Sequence, residues 1–191
     1  MRVRRGITGC MATLAFAFAC LVFAGATGAV SRPYSELGEG AMGRYSWRAW
    51  VAPAGKGEAP QPPCIWIGLY GPSGRGNGLY SGSEGDSCGR PVDEAPVTEA
   101  VSTGQGARER TVFAGAFSTS VRQIRLDLGQ KGSITLKART LEKGRAQRAK
   151  VDPFSYVVKG FAGPFCLRRI VGLDAAGQML SDSGMMPCEH F

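Results

Sequence analysis

Glycine and proline interrupt this chain so often, at 28 and 11 of its 191 positions, that no stretch after residue 30 sustains the 3.6-residue apolar period of a long helix. A period of two survives between them, the repeat of an extended strand. In RYSWRAWV, Tyr45, Trp47, Ala49 and Val51 share one side, with Trp50 breaking the alternation. CIWIGLY sets Ile65, Ile67 and Leu69 against Trp66 and Tyr70, a pattern that predicts a strand covered on both faces. SITLKART puts Ile134, Leu136 and Ala138 opposite Ser133, Thr135, Lys137 and Arg139, as in a strand with one wet face. Short strands, frequent turns and the lack of βαβ alternation predict an all-β fold, specifically an antiparallel β-sandwich of Ig-like type. Helix is expected only for a turn or two within TLEKGRAQRAK, Thr140 to Lys150. GEAPQPP (57–63) and the segment 89–110 are expected to be loops, because proline cannot donate to a sheet ladder.

Two segments resemble one another. FAGAFSTSVRQIRLDLG starts at Phe113 and FAGPFCLRRIVGLDAAG at Phe161; each runs through an apolar-Arg-x-Ile core to an acid and a glycine. They read either as two related strand-turn-strand units or as ordinary strand patterning, with Gly129 and Gly177 as turns in both cases.

The N-terminus, MRVRR, leads into an uncharged stretch from Gly6 to Ser31. A basic region followed by an apolar one is the pattern of a secretory signal, and Ala24 and Ala26, or Thr27 and Ala29, offer small residues for cleavage. Residues 7–30 are also long enough to span a bilayer as an uncleaved anchor. The expected organisation is therefore a signal or anchor helix over 1–29 and a single domain over 30–191. Loss of Arg2, Arg4 and Arg5 with the leader lowers the formal charge from +8 to +5.

Four cysteines remain after the leader, Cys64, Cys88, Cys166 and Cys188. An even number in an exported chain reads as disulfides, and four allow three pairings. Local pairing, 64 with 88 and 166 with 188, is preferred, since each bridge would tie a long loop and stabilise it by about 3 kcal/mol.

The stretch GDSCG, Gly85 to Gly89, matches the G-x-S-x-G pattern that exposes a nucleophilic serine between a strand and a helix. Here the exit, GRPVDEAP, carries Pro91 and Pro96, which block a helix, and the single histidine, His190, is one residue from the end. A turn around a bridged Cys88 explains the stretch better, which leaves a secreted serine hydrolase acting through Ser87 as the alternative function. Zinc at Cys166, Cys188 and His190 would need thiolates that an oxidising compartment converts to disulfides. Glu84 and Asp86 lack the spacing of calcium ligands, and there is no phosphate or dinucleotide fingerprint. No metal or cofactor is expected.

Charge is the informative feature. Lys137, Arg139, Lys143, Arg145, Arg148 and Lys150 face only Glu142 within 137–150, a local excess equal to that of the whole chain without its leader. Such a segment suits an anionic polymer or lipid headgroups, or it is a solvated edge that resists strand pairing. Nucleic acid is not expected, because no aromatics interleave the cations. Tyr45, Trp47, Trp50, Trp66 and Tyr70 read as core rather than as a carbohydrate platform.

The second half, marked by Gly115, VRQIRLDLGQKG, FSYVVKGFAG and RRIVGLDAAGQML, and preceded by Cys64 and Cys88-Gly89, resembles uncharacterised exported β-sandwich proteins of Gram-positive actinobacteria over about 120 residues. The resemblance implies an envelope-associated sandwich and brings no catalytic residues. The expected function is a non-enzymatic, secreted or membrane-tethered envelope module that binds an envelope component or serves structurally, with the 137–150 segment contacting an anionic polymer.

Overall fold

The computed structural model describes residues 34–55, 57, 60–71, 79–82, 88–104, 106–164 and 166–187. Among these the chain forms β1 (Ser35–Met42), β2 (Tyr45–Pro53), β3 (Pro63–Tyr70), β4 (Leu79–Gly82), β5 (Val97–Thr103), β6 (Arg110–Phe117), β7 (Gln123–Asp127), β8 (Ser133–Lys137), β9 (Arg139–Thr140), α1 (Lys143–Ala149), β10 (Ser155–Ala162), β11 (Arg169–Leu173) and β12 (Met179–Asp182). The all-β expectation holds. Three four-stranded antiparallel sheets form, ordered β1-β2-β3-β4, β5-β6-β10-β9 and β12-β11-β7-β8.

The second of these sheets lies between the other two, and β6 shows why. Its residues alternate between two cores: Val112, Ala114 and Ala116 join Ala49, Val51, Ile65 and Ile67 of the first sheet. Phe113 and Phe117 point the other way, onto Ile124, Leu126 and Ile170 of the third. In β10, Tyr156 belongs to the first core and Val157 to the second. A strand wetted on one face could not be apolar at every position. The FAGAF run, buried from Phe113 to Phe117, requires cover on both sides. Gly115 completes that fit, since a Cβ there would stand 2.7 Å from the Phe117 ring and 3.4 Å from that of Phe113.

The two similar segments are neighbours. Each begins in the middle sheet and crosses to the third: β6 pairs with β10, and β7 with β11. Each crossing strand then turns back in a hairpin, β7 to β8 and β11 to β12. The two acids do the same job. Asp127 Oδ1 accepts the Gly129 N–H at 2.9 Å, and Asp174 Oδ1 accepts those of Ala176 and Gln178 at 2.8 Å. Gly129 and Gly177 adopt φ of 63° and 82°, so both expected turn positions need glycine.

Two expectations are corrected. The segment 89–110 is not all loop: beyond Pro96 the proline-free run VTEAVST forms β5, which pairs with β6 along its length and buries Val97 and Val101. SITLKART is not one strand either. The chain leaves the third sheet after Lys137 and enters the middle sheet at Arg139, with the Ala138 N–H donating to the Arg122 carbonyl at 2.8 Å. The short helix falls where it was expected, within Thr140 to Lys150, and runs through Gly144. Ala146 and Ala149 bury its inner side against the first core.

Candidate functional site

The six cations of the basic segment are not equally exposed. Lys137 closes β8 and Arg139 opens β9, both exposed. Lys143, Arg148 and Lys150 are exposed on α1 and at its end, whereas Arg145 is half-buried and donates from Nε to Ser35 Oγ at 3.1 Å, tying the helix to β1. Lys150 ends the helix with φ of 55°, and its N–H reaches the carbonyls of Ala146 and Gln147. Its own carbonyl accepts the Gln61 N–H at 2.9 Å. A left-handed lysine costs about 1 kcal/mol, offset here by the bonds that close the helix.

Lys137 and Arg139 do meet, in a cleft of about 220 Å³ where the edge strands of all three sheets converge. Leu37, Gly38 and Glu39 of β1 form one wall, and Leu136 and Lys137 of β8 with Arg139 of β9 form the other. Tyr156, Val157 and Val158 of β10 lie between them, and Trp47 reaches in from β2. Gly40 makes room for the indole, and Gly160 for the Met42 thioether beside it. A Cβ at Gly40 would lie 2.7 Å from the indole, one at Gly38 3.9 Å and one at Gly160 3.4 Å. The first sheet and β10 therefore close around Trp47, which is half-buried against the first core. Glu39 is paired with Arg48, which donates to its Oε2 at 3.1 Å and also lies 3.5 Å from Glu36. Those two carboxylates raise the Arg48 pKa, with the Glu39 hydrogen bond as the main cause.

The sequence marked Lys137 and Arg139 for their charge and Trp47 as core. It did not mark Gly40, which lies under the Trp47 indole of the neighbouring strand, or Gly160, which meets Met42 and Trp47 of another sheet. Tyr45 packs on the first core beside Trp47, in line with the core reading, while Trp50, Trp66 and Tyr70 are half-buried, and Trp50 and Trp66 face each other across β2 and β3. Arg44 lies over the Tyr45 ring at 5.5 Å and lowers its phenol pKa, chiefly by hydrogen bonding.

Cys64 and Cys88 form a disulfide, with Cα atoms 4.8 Å apart. Cys166 is also disulfide-bonded and lies against the Gly129 turn. Cys188 and the pairing expected for it lie outside the described residues, as do Ser87, His190, Glu84, Asp86 and the leader. Among the described residues no group of three His, Cys, Asp or Glu could hold a metal, and no helix is long and apolar enough to cross a membrane. An ion pair also joins two strands of the third sheet. Arg169 clasps Asp182 across β11 and β12, donating from Nε at 2.9 Å and from a terminal nitrogen. That pair, helped by the Gly184 N–H, holds the Asp182 carboxyl at about 2. Comparison with known proteins finds no matching family model, no matching curated protein and no matching solved structure.

Proposed function

We propose that this chain is an exported, non-enzymatic cell-envelope module, released by cleavage of its leader or tethered through it, that binds an anionic envelope polymer. One observation carries the reading: Lys137, Arg139, Lys143, Arg148 and Lys150 are all exposed, and Glu142 is the only acid in their segment. Cations held at strand ends and on a short helix leave their charge free to displace counterions from a polyanion. The sandwich part of the reading is supported by the way the first and middle sheets face each other over one core. The disulfide at Cys64 and Cys88 agrees with an oxidising compartment, and it fixes the residue next to Ser87.

The test is retention of the full chain on an immobilised glycerol-phosphate polymer at increasing salt. Retention should fall steeply with salt, and Lys143→Gln with Arg148→Gln should flatten the salt slope by roughly 0.7 per residue. Retention that ignores both salt and these changes refutes the polymer. A fluorophosphonate probe should leave Ser87 unlabelled; labelling that disappears in His190→Ala would establish the hydrolase instead.

A further inference from the structure

Among the described residues the middle sheet ends on an incomplete edge. β10 runs for eight residues, but β9 pairs with only two of them, Ser155 and Tyr156, before the chain departs at Ala138 for the third sheet. The hydrogen-bond phase of β10 shows which groups are left over. Gly163 donates to the Glu109 carbonyl at 2.8 Å on the β6 side, while the Phe154 carbonyl accepts from Leu141 at 3.0 Å on the β9 side. In an antiparallel ladder these directions alternate, so the odd residues of β10 bond to β6 and the even ones face the β9 edge. Val158, Gly160 and Ala162 thus aim their N–H and C=O groups beyond the end of β9, where no described strand pairs with them. Gly160 is half-exposed and Ala162 exposed.

We propose that this edge receives an extended peptide with a free C-terminal carboxylate, added antiparallel to β10 along Val158 to Ala162. Direction identifies the end of the ligand. β9 runs from Arg139 to Thr140 as its partners fall from Tyr156 to Ser155, so a peptide continuing its line arrives at Arg139 by its C-terminus. The carboxylate then lies in the cleft that Lys137 and Arg139 line, while Glu39 is already engaged by Arg48. Backbone pairing supplies affinity and the two cations recognise the terminal charge. Peptide side chains on the first-core side meet Trp47 and Met42, which already pack around Gly160, so an apolar residue fits there. Cations at an open edge ordinarily repel indiscriminate strand pairing; here they also select a ligand that ends in an anion. The proposal goes beyond the polymer reading and does not require it, because backbone geometry rather than charge density chooses the ligand.

The probe is an acetylated hexapeptide alternating valine and threonine, with a free C-terminus, titrated against the full chain and compared with its C-terminal amide. The free acid should bind, and the amide should bind about tenfold more weakly. Exchange of the Val158 and Gly160 amides should slow only when peptide is present. Lys137→Gln with Arg139→Gln should abolish the difference between acid and amide while leaving the amide affinity unchanged, and N-methylation of alternate peptide residues should abolish binding of both. Equal binding of acid and amide overturns the proposal, as does no binding up to about 1 mM. So does self-association of the free chain that occludes the edge. Lys143→Gln with Arg148→Gln should weaken polymer retention and leave peptide binding intact, so either idea can fail without the other.

Discussion

Replacing Phe113 by alanine tests the three-layer arrangement directly, because this side chain points away from the first sheet and would lie in water if the third did not cover it. Phe113 is 1% exposed and packs in the second core. Removing its ring empties roughly 100 Å³, and at about 24 cal/mol per Å³ the residual cavity costs about 2.4 kcal/mol. The lost transfer of the ring from water adds about 2 kcal/mol, for a total near 4 kcal/mol. Val112→Ala probes the opposite face and should cost about 2 kcal/mol. The two residues are consecutive in the chain but feed separate cores, so the double variant measures how strongly the two cores are coupled. Urea unfolding followed by tryptophan fluorescence reads all three values, and exposed Lys159→Ala on β10 serves as the control, with a change below about 0.5 kcal/mol. If Phe113→Ala costs less than about 1 kcal/mol with an unchanged m value, the ring is not buried between sheets and the architecture is wrong.

Changing Cys64 and Cys88 together to alanine opens a cross-link between residues 24 apart in sequence and should lower stability by roughly 3.5 kcal/mol; a loss under about 1 kcal/mol would mean the loop is ordered without it. The Asp182 carboxyl is held at about 2, below its ordinary 3.8, so its stabilising contribution is complete above 3.8 and disappears as pH falls from there through 2. The difference in Tm between the native chain and Asp182→Asn should accordingly be present near pH 6 and vanish by about pH 2; a gap that persists in acid excludes the ion pair as its source. Lys150→Gly should stabilise by about 0.5–1 kcal/mol by relieving the left-handed φ, and a loss of stability would show that the lysine side chain, not its backbone, matters there.

Strands that alternate in sequence were legible from local chemistry. Tyr45, Trp47, Ala49 and Val51 do line one side of β2, and Ile134 and Leu136 of β8 are the sheltered residues between exposed Ser133, Thr135 and Lys137. β5 was not legible, because two prolines and several charges upstream suggested loop and only pairing with β6 organises VTEAVST. β1 was missed too. Its glycines weaken any strand signal, and Gly40 leaves the space that the Trp47 indole fills.

Of the candidate site, the sequence marked the cations and the aromatic but not their meeting place. Lys137 and Arg139 are two residues apart and belong to different sheets, and Arg145, equal to its neighbours as a charge, is drawn aside to Ser35. No pattern of residue types along a segment encodes that, since it depends on which strand lies across the way.

The sequence alone determined the local terms: strand where apolar residues alternate, turns where Asp127 and Asp174 precede glycines, and a short helix within Thr140 to Lys150. Those choices rest on backbone sterics and on side chains bonding to their own loops, and both act within a few residues. Tertiary structure alone decided that a third sheet covers Phe113 and Phe117, that three edges converge on Trp47, and that β9 pairs with only two residues of β10. Burial and strand pairing join residues far apart in the chain, so their outcome is set by how whole sheets stack.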